Sequence, residues 1–382
     1  MVPKILMLHY VDDPRSGGSL RVGETICRAV DPTRYEMHMC FAYRGPGPIA
    51  DRATWPCHYL GLGSSRDVAH WGRIRRLILQ QRFDILHYQD GLLWSQFATV
   101  GLSPRRVMHV HILTEGTRIR DRLAWRVLRH RIDKFICITR QIREKMIETG
   151  YAVSPQAHVV YNAIDFDWFQ NPADKQAARK ELGLPSTCKL LGMVGRQVWW
   201  KGGEDLLRIL AFLPENWHGV FVGAGVYHDE LKRIAMLCGV EKRAHFVQAL
   251  GDVRPAYASL DAFGFFSRFE PFGLVIAEAM ASRVPVVGLS GEGGYAENEY
   301  PLVTADNALL LPRANPKDHG LPESEEVLKR LAEKIVTLDS NGDEKFRMVE
   351  RAHRWVRERF SLPIQGERIA ATYDQVLGIS TA

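Results

Sequence analysis

The chain has 382 residues, of which 46% are hydrophobic and 25% charged, with a formal net charge of +6; this is the balance of a globular chain with room for two domains, and it excludes a disordered, collagen-like or low-complexity protein. Six cysteines, Cys27, Cys40, Cys57, Cys137, Cys188 and Cys238, are scattered without a CxxC pair, which argues against a zinc knuckle or a disulfide framework and for reduced thiols. The opening MVPKILMLHYVDD holds an apolar run too short for a signal-peptide core, and no run of eighteen apolar residues follows, so neither export by that route nor a spanning helix is expected and the expected location is cytoplasmic.

In chain order, short apolar strands alternate with amphipathic helical stretches. Strands are predicted over 4–10, 35–42, 84–88, 107–111 and 134–138, and the pattern restarts with strands over 189–194, 219–222, 244–247, 262–266 and 284–288. Such alternation implies parallel sheets covered by helices on both faces, hence two Rossmann-like domains. Asp12 and Asp13, just ahead of Ser16-Gly17-Gly18-Ser19, read as a flexible turn. Two basic helical stretches, 70–82 (HWGRIRRLILQQR) and 118–131 (RIRDRLAWRVLRHR), mix arginines with apolar residues at roughly helical spacing. They fit either a peripheral contact with an anionic membrane or ordinary helices packed on the sheet with their arginines in water. Neither an RNA-recognition signature nor a C2H2 spacing occurs, so nucleic acid is not an expected partner.

The most informative stretch begins at Glu270. In Glu270-Pro271-Phe272-Gly273-Leu274-Val275-Ile276-Ala277-Glu278 the first carboxylate falls on the turn between a buried strand (DAFGFFS) and a helix (LVIAEAMAS), and the second lies inside that helix. At helical rise the two are separated by roughly 10 Å, too far to share a proton but suited to gripping two ends of an elongated ligand. The first turn, Phe272, Gly273, Leu274 and Val275, offers unpaired N–H groups to an anion, and Gly273 allows close backbone approach. Upstream, the strand LLGMVG ends at Gly195 and is followed by Arg196 and Lys201, two cations at a strand end that suit a diphosphate. Because ligands of open parallel sheets bind beyond the carboxyl ends of the strands, Gly17 and Gly18 of one domain are expected to face Arg196, Lys201 and Glu270 of the other across an interdomain cleft.

The spacing VGR-x4-KG, the later VGAG and the block SRFEPFGLVIAEAM-x-S-x-VPVV resemble the retaining, GT-B-fold glycosyltransferases of the large family four. The same resemblance takes in Ser16 to Ser19, DILHYQD at 84–90, His111 at the end of its strand, and Tyr161-Asn162-Ala163-Ile164-Asp165 at the crossover between domains. It implies an acceptor domain over 1–164 completed by a returning helix in 363–382, and a donor domain over 165–362. It also implies transfer of a sugar from a UDP- or GDP-linked donor to a hydroxyl of a glycan, glycolipid or natural-product acceptor, by front-face displacement in which the leaving phosphate oxygen takes the acceptor proton.

By the same resemblance Arg196 and Lys201 neutralise the departing diphosphate, Glu278 accepts the ribose hydroxyls, Glu270 orients the transferred sugar, and His111 lies near sugar and diphosphate. Gly17, Gly18, Val247 and 272–275 complete the donor contacts. No DxD-type pair stands in this site, so no metal and no cofactor are expected. His109 is expected to point away from His111 and to be structural. Ala163 replaces a common glycine and Gln89 a common histidine, so neither is given a catalytic role. The glycines Gly293 and Gly294 are kept in 288–299, where Glu297 and its acidic neighbours leave donor contact open, while Trp199 and Trp200 between the two cations could pack the donor or shield the surface. Alternatives are a non-catalytic nucleotide-sugar-binding relative, or an epimerase or phosphorylase on the same scaffold. A Rossmann oxidoreductase would need GxGxxG where this chain has SGGSLR.

Overall fold

In the computed structural model, residues 2–13, 18–64, 71–89, 93–112, 127–171, 173–293, 295, 299–314 and 321–379 are described. They form two units, 1–163 with 360–382 and 164–359, each built on one parallel sheet.

The sheet of the first unit runs β3 (Cys57–Leu62), β2 (Glu36–Tyr43), β1 (Lys4–His9), β4 (Ile85–Gln89), β5 (Arg105–Val110), β6 (Lys134–Cys137) and β7 (Ala157–Val159). The unbroken run Ile5, Leu6, Met7, Leu8 is at most 2% exposed, as a strand covered by helices on both faces requires. Strand order reverses at β1, which lies between β2 and β4, so the carboxyl ends of β1 and β4 form the switch point. The helix Leu362–Leu377 belongs to this unit and lies on the helix Gly18–Ala29. Contact is close enough that a Cβ at Gly366 would come within 2.2 Å of the Ala29 carbonyl oxygen. Arg34 and Tyr35 donate to Asp374 at 2.6 and 2.5 Å, and Tyr373 and Thr372 meet His87 and His158 at 2.7 and 2.8 Å.

The sheet of the second unit runs β10 (Ala244–Val247), β9 (Trp217–Val222), β8 (Lys189–Val194), β11 (Ala262–Phe265), β12 (Val286–Ser290) and β13 (Leu309–Pro312). Its core joins Leu206, Leu207, Ile209 and Leu210 of the helix Gly203–Leu210 to Phe221, Phe266, Leu328 and Leu331. The switch point is the gap between β8 and β11.

Three strands escaped the sequence pattern, β3, β7 and β13, and all three lie at sheet edges. An edge strand is covered less completely, so its sequence (CHYLGL, AHV, LLLP) lacks the long apolar run that marks a central one. Asp12 also departs from expectation. It is buried, not part of an exposed turn, and accepts from the N–H groups of Gly47, Ile49 and Ala50 and from the Tyr59 hydroxyl at 2.9–3.1 Å. A carboxylate with that many donors anchors a loop across sequence distance, which local composition cannot reveal.

Candidate functional site

At the switch point of the second unit, β8 passes into Gly195 and then into a turn that is tied to the loop after β9. The Gly195 N–H donates to the Val222 carbonyl and the Gln197 N–H to that of Ala224, both at 2.9 Å. Gln197 uses its amide twice more, donating to the Gly223 carbonyl at 3.1 Å and accepting from His228 Nδ1 at 2.6 Å. The turn thereby presents Arg196, which is exposed, with its guanidinium carbon 5.9 Å from the Trp200 ring centroid. A one-turn 3-10 helix, Trp199–Lys201, then aims Lys201 back toward β11.

A cavity open to solvent lies between these strand ends and is lined by Arg196, Gln197, Lys201, Phe265, Ser267 and Val275, among others. Lys201 and Ser267 line it, and from there the Lys201 ammonium is in direct contact with the Glu270 carboxylate, which is not itself part of the lining, while Ser267 Oγ stands 3.4 Å from the same oxygen, Oε2. Both side chains of the ion pair keep partial exposure, 22% and 13%. Lysine has three donor hydrogens and a carboxylate about four acceptor sites, so each retains capacity for a ligand while the pair is intact.

Gly273 opens the helix Leu274–Ala281 from a left-handed conformation, φ +91°, a geometry that strains any residue with a Cβ. The first helical bond at this end is Ile276 N–H to Gly273 C=O at 2.9 Å, so the N–H groups of Leu274 and Val275 lie ahead of the helical ladder. Val275 lines the cavity; Phe272, 2% exposed, wedges the turn into the core. Glu278, 3% exposed, does not line the cavity and accepts from the Tyr257 hydroxyl at 2.6 Å. The two glutamates therefore have separate partners: Lys201 and Ser267 for the first, Tyr257 for the second. Val247 ends β10, where its carbonyl accepts the Gly223 N–H at 2.9 Å, and it does not line the cavity. Trp199 is 42% exposed and Trp200 meets it edge-on at 5.8 Å. Gly294 and Glu297 lie outside the described residues.

At the switch point of the first unit, His111 follows β5 directly, is 8% exposed, and donates from Nε2 to Gln89 Oε1 at 2.6 Å. Gln89, read from sequence only as a departure from a pattern, thus fixes the ring of His111. His109 does not point away from His111. Residues two apart in a strand share a face, and the two rings stack at 4.5 Å with 19° between planes. His87 stacks on His109 in turn at 5.4 Å. Among the described residues, neither ring nitrogen of His109 has a hydrogen-bond partner, and Nε2 of His9 and of His87 also lack one. Burial, helped by the charge His111 would carry, pushes His9 and His87 down to about 3 and His109 well below the ordinary histidine value. Gly18 begins its helix, while Gly17 lies outside the described residues.

Of the two basic stretches, the described part of the first is the helix Trp71–Gln81, with Ile74 and Ile78 buried. Arg73 donates to the Leu60 carbonyl at 2.6 Å and Arg75 to those of Ala98 and Val100 at 2.9 and 2.8 Å, so two of its arginines tie down neighbouring backbone. Most of 118–131 lies outside the described residues. Among the described residues no helix is long and apolar enough to cross a membrane, and no group of three or more His, Cys, Asp or Glu side chains is arranged to hold a metal ion.

With this geometry in place, comparison with known proteins adds the lineage. Residues 16–168 match the model of Glycosyltransferase Family 4, and residues 174–319 match that of Glycosyl transferases group 1. The lipopolysaccharide core biosynthesis mannosyltransferase LpsB of Rhizobium meliloti is 35% identical over 148 residues, 36% of this chain and 42% of that protein. The lipopolysaccharide core biosynthesis glycosyltransferase LpsE of the same organism is 29% identical over 249 residues, 64% of each. The chain thus spans about half the length of the curated relatives it matches. In fold, the structure of Anabaena HepE in complex with UDP and glucose is similar over 97% of this chain and 99% of that one, with a TM-score of 0.79 at 21% identity. Two parallel Rossmann-like sheets of the GT-B type, each half matched by its own family model, lead to one conclusion: the chain belongs to the group 1 glycosyltransferases of family four.

Proposed function

We propose that the chain transfers a sugar from a nucleoside diphosphate donor, UDP- or GDP-linked, to a hydroxyl of a glycan or glycolipid with retention of configuration. The observation that carries this reading is that Arg196 and Lys201 line a cavity at a sheet switch point, with Lys201 in contact with the Glu270 carboxylate. Charge that develops on a departing diphosphate meets two fixed cations and the N–H groups of a helix start, which lowers the barrier where the charge appears. Glu270, adjoining both Lys201 and Ser267, is placed to receive sugar hydroxyls; Glu278, behind it, is the candidate for the ribose. The names of LpsB and LpsE, and the UDP and glucose of HepE, are consistent with this donor and acceptor chemistry.

In the proposed step the bond from sugar C1 to the phosphate oxygen breaks and a bond from C1 to the acceptor oxygen forms on the same face. The acceptor proton passes to the departing phosphate oxygen, so no enzyme nucleophile is required. Arg196 and Lys201 supply the neutralisation, and the reaction is proposed to need no divalent cation. Calorimetric titration of UDP-, GDP-, ADP- and TDP-sugars in chelator, with the unaltered chain and Lys201→Ala, tests this. One nucleotide should bind selectively and bind less well to the variant, and the product anomer, read by proton NMR, should match that of the donor. Folded protein that binds none of the four defeats the reading; turnover that appears only on adding Mg²⁺ defeats its metal-independent part.

A further inference from the structure

Behind the cavity lies a buried set of charges with no part in the proposed chemistry. Arg268 stands between Ser267 and the Glu270 turn and is 3% exposed. On one side its backbone N–H donates to the Trp200 carbonyl at 2.7 Å and its guanidinium NH1 to the Trp199 carbonyl at 3.1 Å. The guanidinium carbon also lies 5.9 Å from the Trp199 ring centroid. On the other side the Arg268 carbonyl accepts the Glu292 N–H, and the Glu292 carbonyl accepts the Glu270 N–H, both at 2.9 Å. A single residue thus fastens the turn that ends in Lys201 to the bridge that carries Glu270.

Its charge is balanced from the first turn of the helix Gly203–Leu210, where Glu204 and Asp205 each approach NH2 to 3.9 Å. Asp205, fully buried, is held by Arg313 NH1 and by the Glu323 N–H, both at 2.9 Å. Among the described residues, Nε and NH2 of Arg268 have no hydrogen-bond partner. Burying a guanidinium with two of its three nitrogens unbonded is costly, and a core satisfied for stability alone would not arrange it so. The bond it does make is to the carbonyl of Trp199, two residues before Lys201.

We propose that Arg268 is a positioning residue for sugar transfer. By gripping the 199–201 turn it keeps the Lys201 ammonium against Glu270, at the place where diphosphate charge develops, and it does so without touching the donor. The inference rests on the proposed function for its catalytic consequence, but the grip itself can be read without any substrate.

Arg268→Lys keeps a cation opposite Glu204 and Asp205 but lacks the planar fork that reaches Trp199, so this variant is expected to fold; Arg268→Met removes the charge as well. With the donor that binds, calorimetry counts competent sites, expected to stay near one per chain in Arg268→Lys. Per competent site, kcat should fall about 30-fold while KM for the donor changes by less than about threefold, because a small misplacement of charge acts on the transition state more than on binding. In chain labelled with 5-fluorotryptophan, the Trp199 fluorine resonance, assigned through Trp199→Phe, should shift or broaden in both variants with no donor present. Unchanged kcat in Arg268→Lys overturns the proposal whatever the resonance does. So does a fall in kcat that only tracks a loss of competent sites. Should the unaltered chain turn over no nucleotide sugar, the reading of activity fails by itself, and an unmoved Trp199 resonance would separately show that Arg268 does not hold the turn.

Discussion

The two units share an architecture but put opposite chemistry at their switch points. Below the site of the first unit sit neutral imidazoles, His9, His87 and His109, each buried with at least one ring nitrogen lacking a partner among the described residues, and His87 and His109 stack in a row that ends at His111. Below the cavity of the second sit full charges, Asp205, Arg268, Arg313 and Glu323, all under 9% exposed. Neutral rings cost little to bury as long as they stay neutral, whereas charges can be buried only together. The first arrangement is therefore vulnerable to protons and the second to the loss of one member.

The largest effect expected from this contrast is that of Asp205→Ala, which takes one carboxylate from both Arg313 and Arg268 and removes the acceptor of the Glu323 N–H. Unfolding in urea should show a loss of about 3–5 kcal/mol, and a loss below about 1 kcal/mol would mean that these charges are not coupled. Next comes Lys201→Ala, predicted to lower kcat by about 10²–10³-fold, in line with removal of one preorganised charge at a developing anion. A drop in KM performance alone would move Lys201 out of the chemistry and into ground-state binding.

Acid should then distinguish the units. His9 and His87, held at about 3, and His158, held at about 4, are all depressed mainly by burial. Around them stand His109, His111, Tyr373, Thr372, Lys134 and Arg143. Because the folded form keeps them neutral, their contribution is fully present above the ordinary value of 6.5. It is lost as pH falls toward 3 or 4 while the unfolded chain takes up protons, each group withdrawing about 1.4 kcal/mol per pH unit. Urea midpoints at pH 7.5, 6.5 and 5.5 should fall more steeply over the lower interval than over the upper one, and a flat profile would remove the contrast. The smallest effect is that of Tyr257→Phe, which takes one buried hydrogen bond from Glu278 and should cost about 1–2 kcal/mol, with weaker donor binding.

What could be read from sequence follows the same division. Central strands, the helix after Gly273, and the cations and carboxylates of the second unit announce themselves because spacing along the chain determines their place in space. The edge strands β3, β7 and β13 do not, since their apolar runs are short and half covered. Asp12 looked like a loop residue because its donors come from 47–59. His109 shares a face with His111, as the two-residue period of a strand sets it. Arg268 and Tyr257 carried no local signal, and Gln89 only that of a departure from a pattern: each acquires its role from a partner distant in sequence, at Trp199, Glu278 and His111 respectively.

The helix Leu362–Leu377 that completes the first unit leaves the ribosome after every residue of the second. Synthesis at about 5–20 residues per second leaves the 164–359 unit free to close as soon as it emerges. The first sheet meanwhile waits through that whole interval with Tyr35, His87 and His158 lacking their partners on this helix. The flank of the helix Gly18–Ala29 stays uncovered until the helix Leu362–Leu377 arrives, so the unit that begins first cannot close before the second has been made.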